Sequence, residues 1–414
     1  MIECYYKNQE VVHRLKESVL GPQLDTFASV VSDSGYSHAT IRTQIHLLAG
    51  LIRWIQKNEI VVFDLDEHIT NIFLKKSARK GAIRRGDKNT LRCFLDHLRN
   101  EGLIDYSAPA LDDSPLASLK NRYENYLRKE RGLALVTASR YWPYLQQFLV
   151  EQFGDGPIQF REISQQAIEN FFLRHAHDRT PKVAQLMVAA MRSFFRFLFR
   201  YGETKRDLSA AVPTVPTWRL AEVPKYLKPD ELQSLLEFSD RTTPVGRRDY
   251  SILLLIARLG LRAGEVVALE LDDINWRTAE LTIRGKGLYR DCLPLPQEVG
   301  EALAIYLQND RPICPTRRVF ITTRAPYRGF KDSTTVSTIV RRALQRSGLN
   351  TPSKGAHLLR YTLATDMLRQ GASMSEIGEL LRHRSPNSTE IYAKVDIEGL
   401  RSIARPWPKK GGVN

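Results

Sequence analysis

Six side chains in the last third of this sequence are of the types that make and break phosphate esters: Arg262, Lys286, His357, Arg360, His383 and Tyr392. A guanidinium forks onto two phosphate oxygens. An ammonium can protonate a leaving alkoxide, and imidazoles move protons near neutral pH. A phenol can serve as nucleophile. If all six converge on one phosphate, the chemistry is phosphoryl transfer with a tyrosine attacking a phosphodiester.

Their local settings fit that use. Arg262 follows Gly260-Leu261 in a turn between an apolar helix and a new helix start, and Glu265 stands three residues on, where it can brace the guanidinium or cap the helix. Lys286 lies between Gly285 and Gly287, so a tight turn projects its ammonium with room for a backbone to approach. His357 and Arg360 share a helix face at i, i+3, in the first turn after Ser353 and Gly355. The positive helix end there favours a phosphate. His383 closes the helical stretch 375–381, and the short loop Ser385-Pro386-Asn387-Ser388 leads to Tyr392. Taken singly, each reads equally well as ordinary structure: a turn arginine, a hairpin lysine, a core histidine, a packed tyrosine. Only the ordered set points to chemistry.

The elements that must hold this set fall after a proline-punctuated linker with Pro213, Pro216, Pro224 and Pro229. From about Leu227 the pattern gives a helix starting at Pro229-Asp230-Glu231, an apolar helix over 249–259 closed by Gly260, and β-rich runs at 280–284 and 290–295. More helices follow to about Arg405, with a tail helix over 395–405, and the Pro406–Asn414 end is loose. Before the linker the pattern is helical and repeats. Gly35-Tyr36-Ser37-His38-Ala39-Thr40 matches Gly132-Leu133-Ala134-Leu135-Val136-Thr137, the run from Phe63 matches that from Phe160, and the run from Leu91 matches that from Met191. The offset drifts only from 97 to 100 residues, which predicts two tandem helical modules. Thr40 and Thr137 suit N-caps or first turns. The resulting plan is a helical module over 1–110, a second over 115–210, a linker over 211–226, a mainly α domain with a small β-sheet (α+β) over 227–405, and a tail over 406–414.

The formal net charge is +15, which favours a polyanion through release of its counterions. Lys182, Arg192, Arg196 and Arg200 edge the second module, and Arg84 and Arg85 sit in a basic loop of the first. These six are the candidate phosphate contacts outside the reacting set. Four scattered cysteines lack metal-ligand spacing and read as reduced thiols. With no apolar leader at the N-terminus and no apolar run longer than 252–257, a cytoplasmic, nucleoid-associated protein without a membrane partner is expected.

The ordered pattern Arg-x-x-Glu, Gly-Lys-Gly, His-x-x-Arg, His and then Tyr nine residues later resembles the tyrosine recombinase (phage integrase) family. The resemblance covers roughly 225–405 closely, and 116–212 as the family's helical core-binding domain. It implies a DNA-breaking-rejoining catalytic domain in which Tyr392 is the nucleophile. Arg262, Lys286, His357, Arg360 and His383 support it, and Glu265 accompanies the first arginine. It further implies cleavage through a 3′-phosphotyrosyl link without metal, ATP or other cofactor, and a clamp on double-stranded DNA. A homodimer on each site and a homotetramer in the synapse follow, with other recombinases or DNA-bending accessory proteins as further partners. Two positions depart from the family: Arg382 stands where a glycine precedes the histidine, and Tyr361 where a second histidine often follows the arginine. The module before residue 110 also exceeds the minimal plan and resembles a second core-binding domain. The expected role is a site-specific recombinase or integrase of a mobile element. A topoisomerase-like or telomere-resolving tyrosine enzyme, or an inactive DNA-binding accessory factor, are the alternatives.

Overall fold

The computed structural model describes residues 1–78, 84, 86–105, 114–154, 156–216, 224–285, 290–351, 353–395 and 401. Lys286, Arg85 and most of the expected tail helix lie outside them.

The first module contains α1 (Gln9–Lys16), α2 (Gly21–Asp33), α3 (His38–Lys57), α4 (Glu67–Ala78) and α5 (Asp87–Asn100). The second contains α6 (Pro115–Asn125), extended by a π turn, then α7 (Leu135–Phe153), α8 (Gln165–Ala176) and α9 (Pro181–Arg200). The same order recurs in both: a long helix, a 3₁₀ turn (Val62–Asp64 or Phe160–Glu162), a three-turn helix and a final amphipathic helix. The starts have local causes. Ser37 accepts from the Thr40 amide at the head of α3, and Ser164 accepts from the Ala167 amide at the head of α8. Thr40 and Thr137 both fall in first turns rather than at caps. Each module encloses its own core, with Phe27, Ile45, Leu48 and Phe94 in the first and Phe148, Phe171, Phe194 and Phe197 in the second.

The C-terminal part holds α10 (Pro229–Glu237), α11 (Pro244–Leu259), α12 (Ala263–Ala268), β1 (Ile274–Asn275), β2 (Glu280–Arg284), β3 (Arg290–Pro294), α13 (Gln297–Asn309), α14 (Ser333–Arg346), α15 (Ala356–Arg369) and α16 (Met374–Leu380). The strands form one antiparallel sheet in the order β1-β2-β3, in which Arg284 pairs with Arg290 on either side of the segment that contains Lys286. Arg284 also binds Asp273 at 2.9 Å and Glu270 at 2.6 Å, which ties the sheet to the end of the α12 segment. Helix α11 begins five residues earlier than its apolar run. Thr243 caps it and Pro244 fills its first position, signals that hydrophobic periodicity does not contain. Its residues 252–257 are buried all round, so it is the central helix of this core.

Met1–Asp105 pack with the chain from Glu222 as one compact unit, and Tyr106–Ala221 form another. Within the first unit, the Tyr327 amide donates to the Ser34 carbonyl at 3.0 Å. Gly35, at φ +84°, leaves room for the Tyr327 ring where a Cβ would otherwise stand. Among the described residues no helix is long and apolar enough to cross a membrane.

Candidate active site

Helix α11 ends at Gly260 in a left-handed conformation, φ +59°. A side chain there would also strike Leu381, whose Cδ2 lies 2.6 Å from the Cβ position. The glycine therefore allows two things at once: a sharp turn into Arg262 and close approach of the segment after α16.

Arg262 caps α12. Its amide donates to Glu265 Oε2 at 2.8 Å and its Nη1 to Oε1 at 2.7 Å. Glu265 thus both caps the helix and braces the guanidinium, the two roles its spacing allowed. The third contact of Arg262 runs from Nη2 to the Arg382 carbonyl at 3.1 Å. Its side chain stays 40% exposed, so the charge can meet an incoming anion.

Arg360 is only 3% exposed. It projects from the second turn of α15, one turn beyond the expected position, donating from Nη1 to the Gly260 carbonyl and from Nη2 to the Leu381 carbonyl. These bonds join the ends of α11 and α16 through one guanidinium. Burial, followed by the Arg262 and Arg382 charges, pushes Arg360 down to about 10, so it remains charged at neutral pH.

His383 follows α16. Its Nδ1 lies 2.8 Å from Thr389 Oγ1, and its ring is parallel to that of Tyr392 with centroids 6.3 Å apart. Burial and then the charges of Arg360, Arg262 and Arg382 push its imidazole down to about 4. It is neutral at pH 7, with one ring nitrogen to donate and one to accept. His357, on the same face of α15 as Arg360, is held below its ordinary 6.5 by the protein packed around it and then by Arg360 and Arg262.

Tyr392 sits on a 3₁₀ segment (Glu390–Val395) rather than on an α-helix, and is 1% exposed. It packs with Ala364, Ile377 and Leu381, and edge-on to Tyr361 at 5.9 Å. Burial raises its phenol to about 12, against the opposing pull of Arg360 and Arg262. The structure thus brings Arg262, Glu265, Arg360, His383 and Tyr392 into one connected cluster, with His357 one helical turn from Arg360. Lys286 lies outside the described residues, and only its flanking strands are placed.

Two members of the cluster have no role that the sequence suggests. Arg382 is at φ +54°, the conformation that suits a glycine, yet its guanidinium is turned inward. Nη2 donates to Glu265 Oε2 at 2.9 Å and Nη1 to the Leu380 carbonyl at 2.9 Å. Burial raises the Glu265 carboxyl, but Arg382 and the two bonds from Arg262 outweigh it and hold the group below 4.5. Thr389, 3% exposed, fixes the His383 ring. An arginine carries no local signal for a positive φ, and Thr389 resembles any helix-start threonine.

The six basic residues expected as phosphate contacts have different surroundings. Arg192 is committed to the Val212 carbonyl and Thr214 Oγ1, both at 2.9 Å, and Arg200 pairs with Glu130 at 3.0 Å. Arg196, Lys182 and Arg84 are exposed. Arg85 lies outside the described residues. Among the described residues no group of three or more His, Cys, Asp or Glu side chains is arranged to hold a metal.

Residues 225–398 match the phage integrase family model, and residues 121–202 match the phage integrase N-terminal SAM-like domain. Protein y4rA of Sinorhizobium fredii, which carries an integrase/recombinase name, is 39% identical over 98% of this chain and 98% of its own length. That similarity includes the first module. Tyrosine recombinase XerC of Oceanobacillus iheyensis is 28% identical over 96% of its length but only 70% of this chain. Among solved structures, XerH bound to a palindromic difH substrate covers 72% of this chain with a TM-score of 0.56 at 18% identity. A lambda integrase tetramer on a Holliday junction covers 80% with a TM-score of 0.52 at 20% identity, and both share the fold. The chain belongs to the phage integrase family and is a tyrosine recombinase.

Proposed function

We propose that this site-specific recombinase uses Tyr392 as its nucleophile on duplex DNA. The phenol oxygen bonds to phosphorus, the bond to the 5′-oxygen breaks, and a 3′-phosphotyrosyl link and a free 5′-hydroxyl result. The ester stores the energy of the broken bond, so a second 5′-hydroxyl can reverse the step without ATP. Arg262 and Arg360 stabilise the charge on the pentavalent phosphorus, with His383 donating beside them. His357 accepts the phenol proton, and Lys286, in the segment between β2 and β3, delivers one to the leaving 5′-oxygen. The observation that carries this reading is Arg360, buried and bound to carbonyls on both sides, next to Arg262 and the His383–Tyr392 ring pair.

Tyr392 is buried in this structure, and a phenol near pKa 12 is a poor nucleophile. DNA binding therefore has to bring its oxygen out to the arginines, where their charges favour proton loss. The second module and the C-terminal domain together clamp the duplex. Two protomers occupy each site and four form the synapse, as strand exchange between two duplexes requires. The biological role proposed is movement or excision of a mobile element.

The test uses nicked duplexes carrying the sequences that flank the coding region. Wild-type protein forms a covalent adduct that survives denaturation. Tyr392→Phe binds the same duplex and forms none. Adducts that persist in Tyr392→Phe overturn the assignment. Terminal repeats in the flanking DNA support the mobile-element role, and their absence counts against it.

A further inference from the structure

The first module carries a cleft that the phosphoryl-transfer site does not use. It encloses about 640 Å³ along α3. Arg42, His46 and Arg53 line it from one helix face, at i, i+4 and i+11. Gly50 falls on the same face, and its missing side chain opens the cleft down to Phe73, whose Cζ is 3.7 Å from the Cβ position. Arg84 faces α3 and donates from Nη1 to Thr43 Oγ1 at 3.4 Å.

Among the described residues the charges here meet a ring, a carbonyl and a hydroxyl and not acids. The Arg42 guanidinium lies over the Tyr6 ring at 5.5 Å, and Arg53 donates from Nε to the Ala49 carbonyl at 3.2 Å. Among the described residues Arg42, Arg53 and Arg84 form no ion pair. The carboxylate on the wall, Asp87, is 7% exposed and accepts from the Arg84 amide at 2.8 Å. The second module differs: its Arg122, Arg174 and Arg200 pair with Glu203, Glu151 and Glu130.

We propose that this face of α3 binds the sugar-phosphate backbone of duplex DNA, as a contact additional to the one at the scissile phosphate. The proposal rests on DNA being the substrate. A row of cations fits it better than a single anion would. Arg42 to Arg53 spans about 16 Å of helix, the rise of four or five phosphates along one strand. An acidic protein face is the other occupant such a row could take, and the salt dependence below separates the two.

The full chain is titrated with a random-sequence duplex of about 60 base pairs between about 50 and 200 mM salt. Replacing Arg42 and Arg53 together by Gln is expected to lower the slope of log affinity against log salt by about two, since each neutralised phosphate contributes about 0.9. A control with the same change in charge on other faces of the first module, Lys16→Gln with Arg92→Gln, is expected to keep the wild-type slope. Thermal unfolding verifies that both variants fold. An unchanged slope for R42Q/R53Q overturns the proposal and returns the cleft to an acidic protein partner. An equal drop in the control also overturns it, because net charge alone would then account for the effect. Wild-type adduct formation on the nicked duplexes, scored separately, reports whether the underlying DNA-cleavage reading fails instead.

Discussion

Arginines serve two regions of this molecule in opposite ways. In the active site Arg360 and Arg382 are buried, and each nitrogen fork meets a carbonyl or carboxylate that fixes it. In the α3 cleft Arg42 and Arg53 are exposed, one guanidinium lying over the Tyr6 ring and the other donating to the Ala49 carbonyl. Fixed charge suits a transition state, because no reorganisation is needed when negative charge develops. Exposed charge suits a polyanion whose position varies, because only counterions need be displaced. The same side chain therefore does different work according to whether its partners are built into the fold.

The largest test of this contrast is Arg360→Lys. A lysine cannot reach both the Gly260 and Leu381 carbonyls, so one buried acceptor is left open at a cost of about 1–3 kcal/mol. Adduct formation should fall by at least about 100-fold, as when a transition-state donor is removed. Chemical denaturation and the nicked-duplex assay measure the two effects. Near-normal adduct rates with intact stability would mean that Arg360 is not fixed in the way described.

Next is Gly260→Ala, which introduces strain at φ +59° and a clash with Leu381. A destabilisation of about 1–3 kcal/mol is expected in denaturation, with a slower adduct rate because the same turn aims Arg262 and Arg360. Arg382→Gly separates backbone from side chain. It relieves the φ but removes a charge-assisted bond to Glu265, so adduct formation should drop about tenfold, the equivalent of about 1.4 kcal/mol. A rate equal to wild type would show that Arg382 fills space only.

The buried site should also register in pH dependence. The His383 imidazole is held near 4 in the fold and near 6.5 when unfolded. Between those values the unfolded chain binds the proton and the folded one does not. Its contribution to stability is thus complete above pH 6.5 and is lost as pH falls toward 4. His383→Gln should flatten that acid slope in thermal unfolding, and an unchanged slope would place the titration elsewhere. The smallest effect belongs to the cleft: R42Q/R53Q should cost most affinity at low salt and less as salt rises.

Much of the active site is legible in the sequence because its residues occur in order, on signals that local physics explains. Gly260 ends a helix, Glu265 lies at capping distance from Arg262, and His357 and Arg360 share a helix face one turn apart. Arg382 is legible only as a departure. The cleft is not legible, because Arg42 and Arg53 are ordinary exposed positions on an amphipathic helix. Their common face becomes a site only when Gly50, Phe73 and Arg84 meet it. The basic run around Arg84 stands out for its composition, while the residues that Arg84 faces do not.

By itself the sequence determined the candidate reacting groups, the order of helices and the small sheet, because these depend on residue type and on spacing along the chain. Tertiary structure alone decided that Arg382 turns inward to share Glu265, that Tyr392 rests buried against His383, and that the first module packs with the C-terminal domain through Ser34, Gly35 and Tyr327. Each of these rests on contacts between residues that no local pattern links, and their formation depends on complementary shape and desolvation.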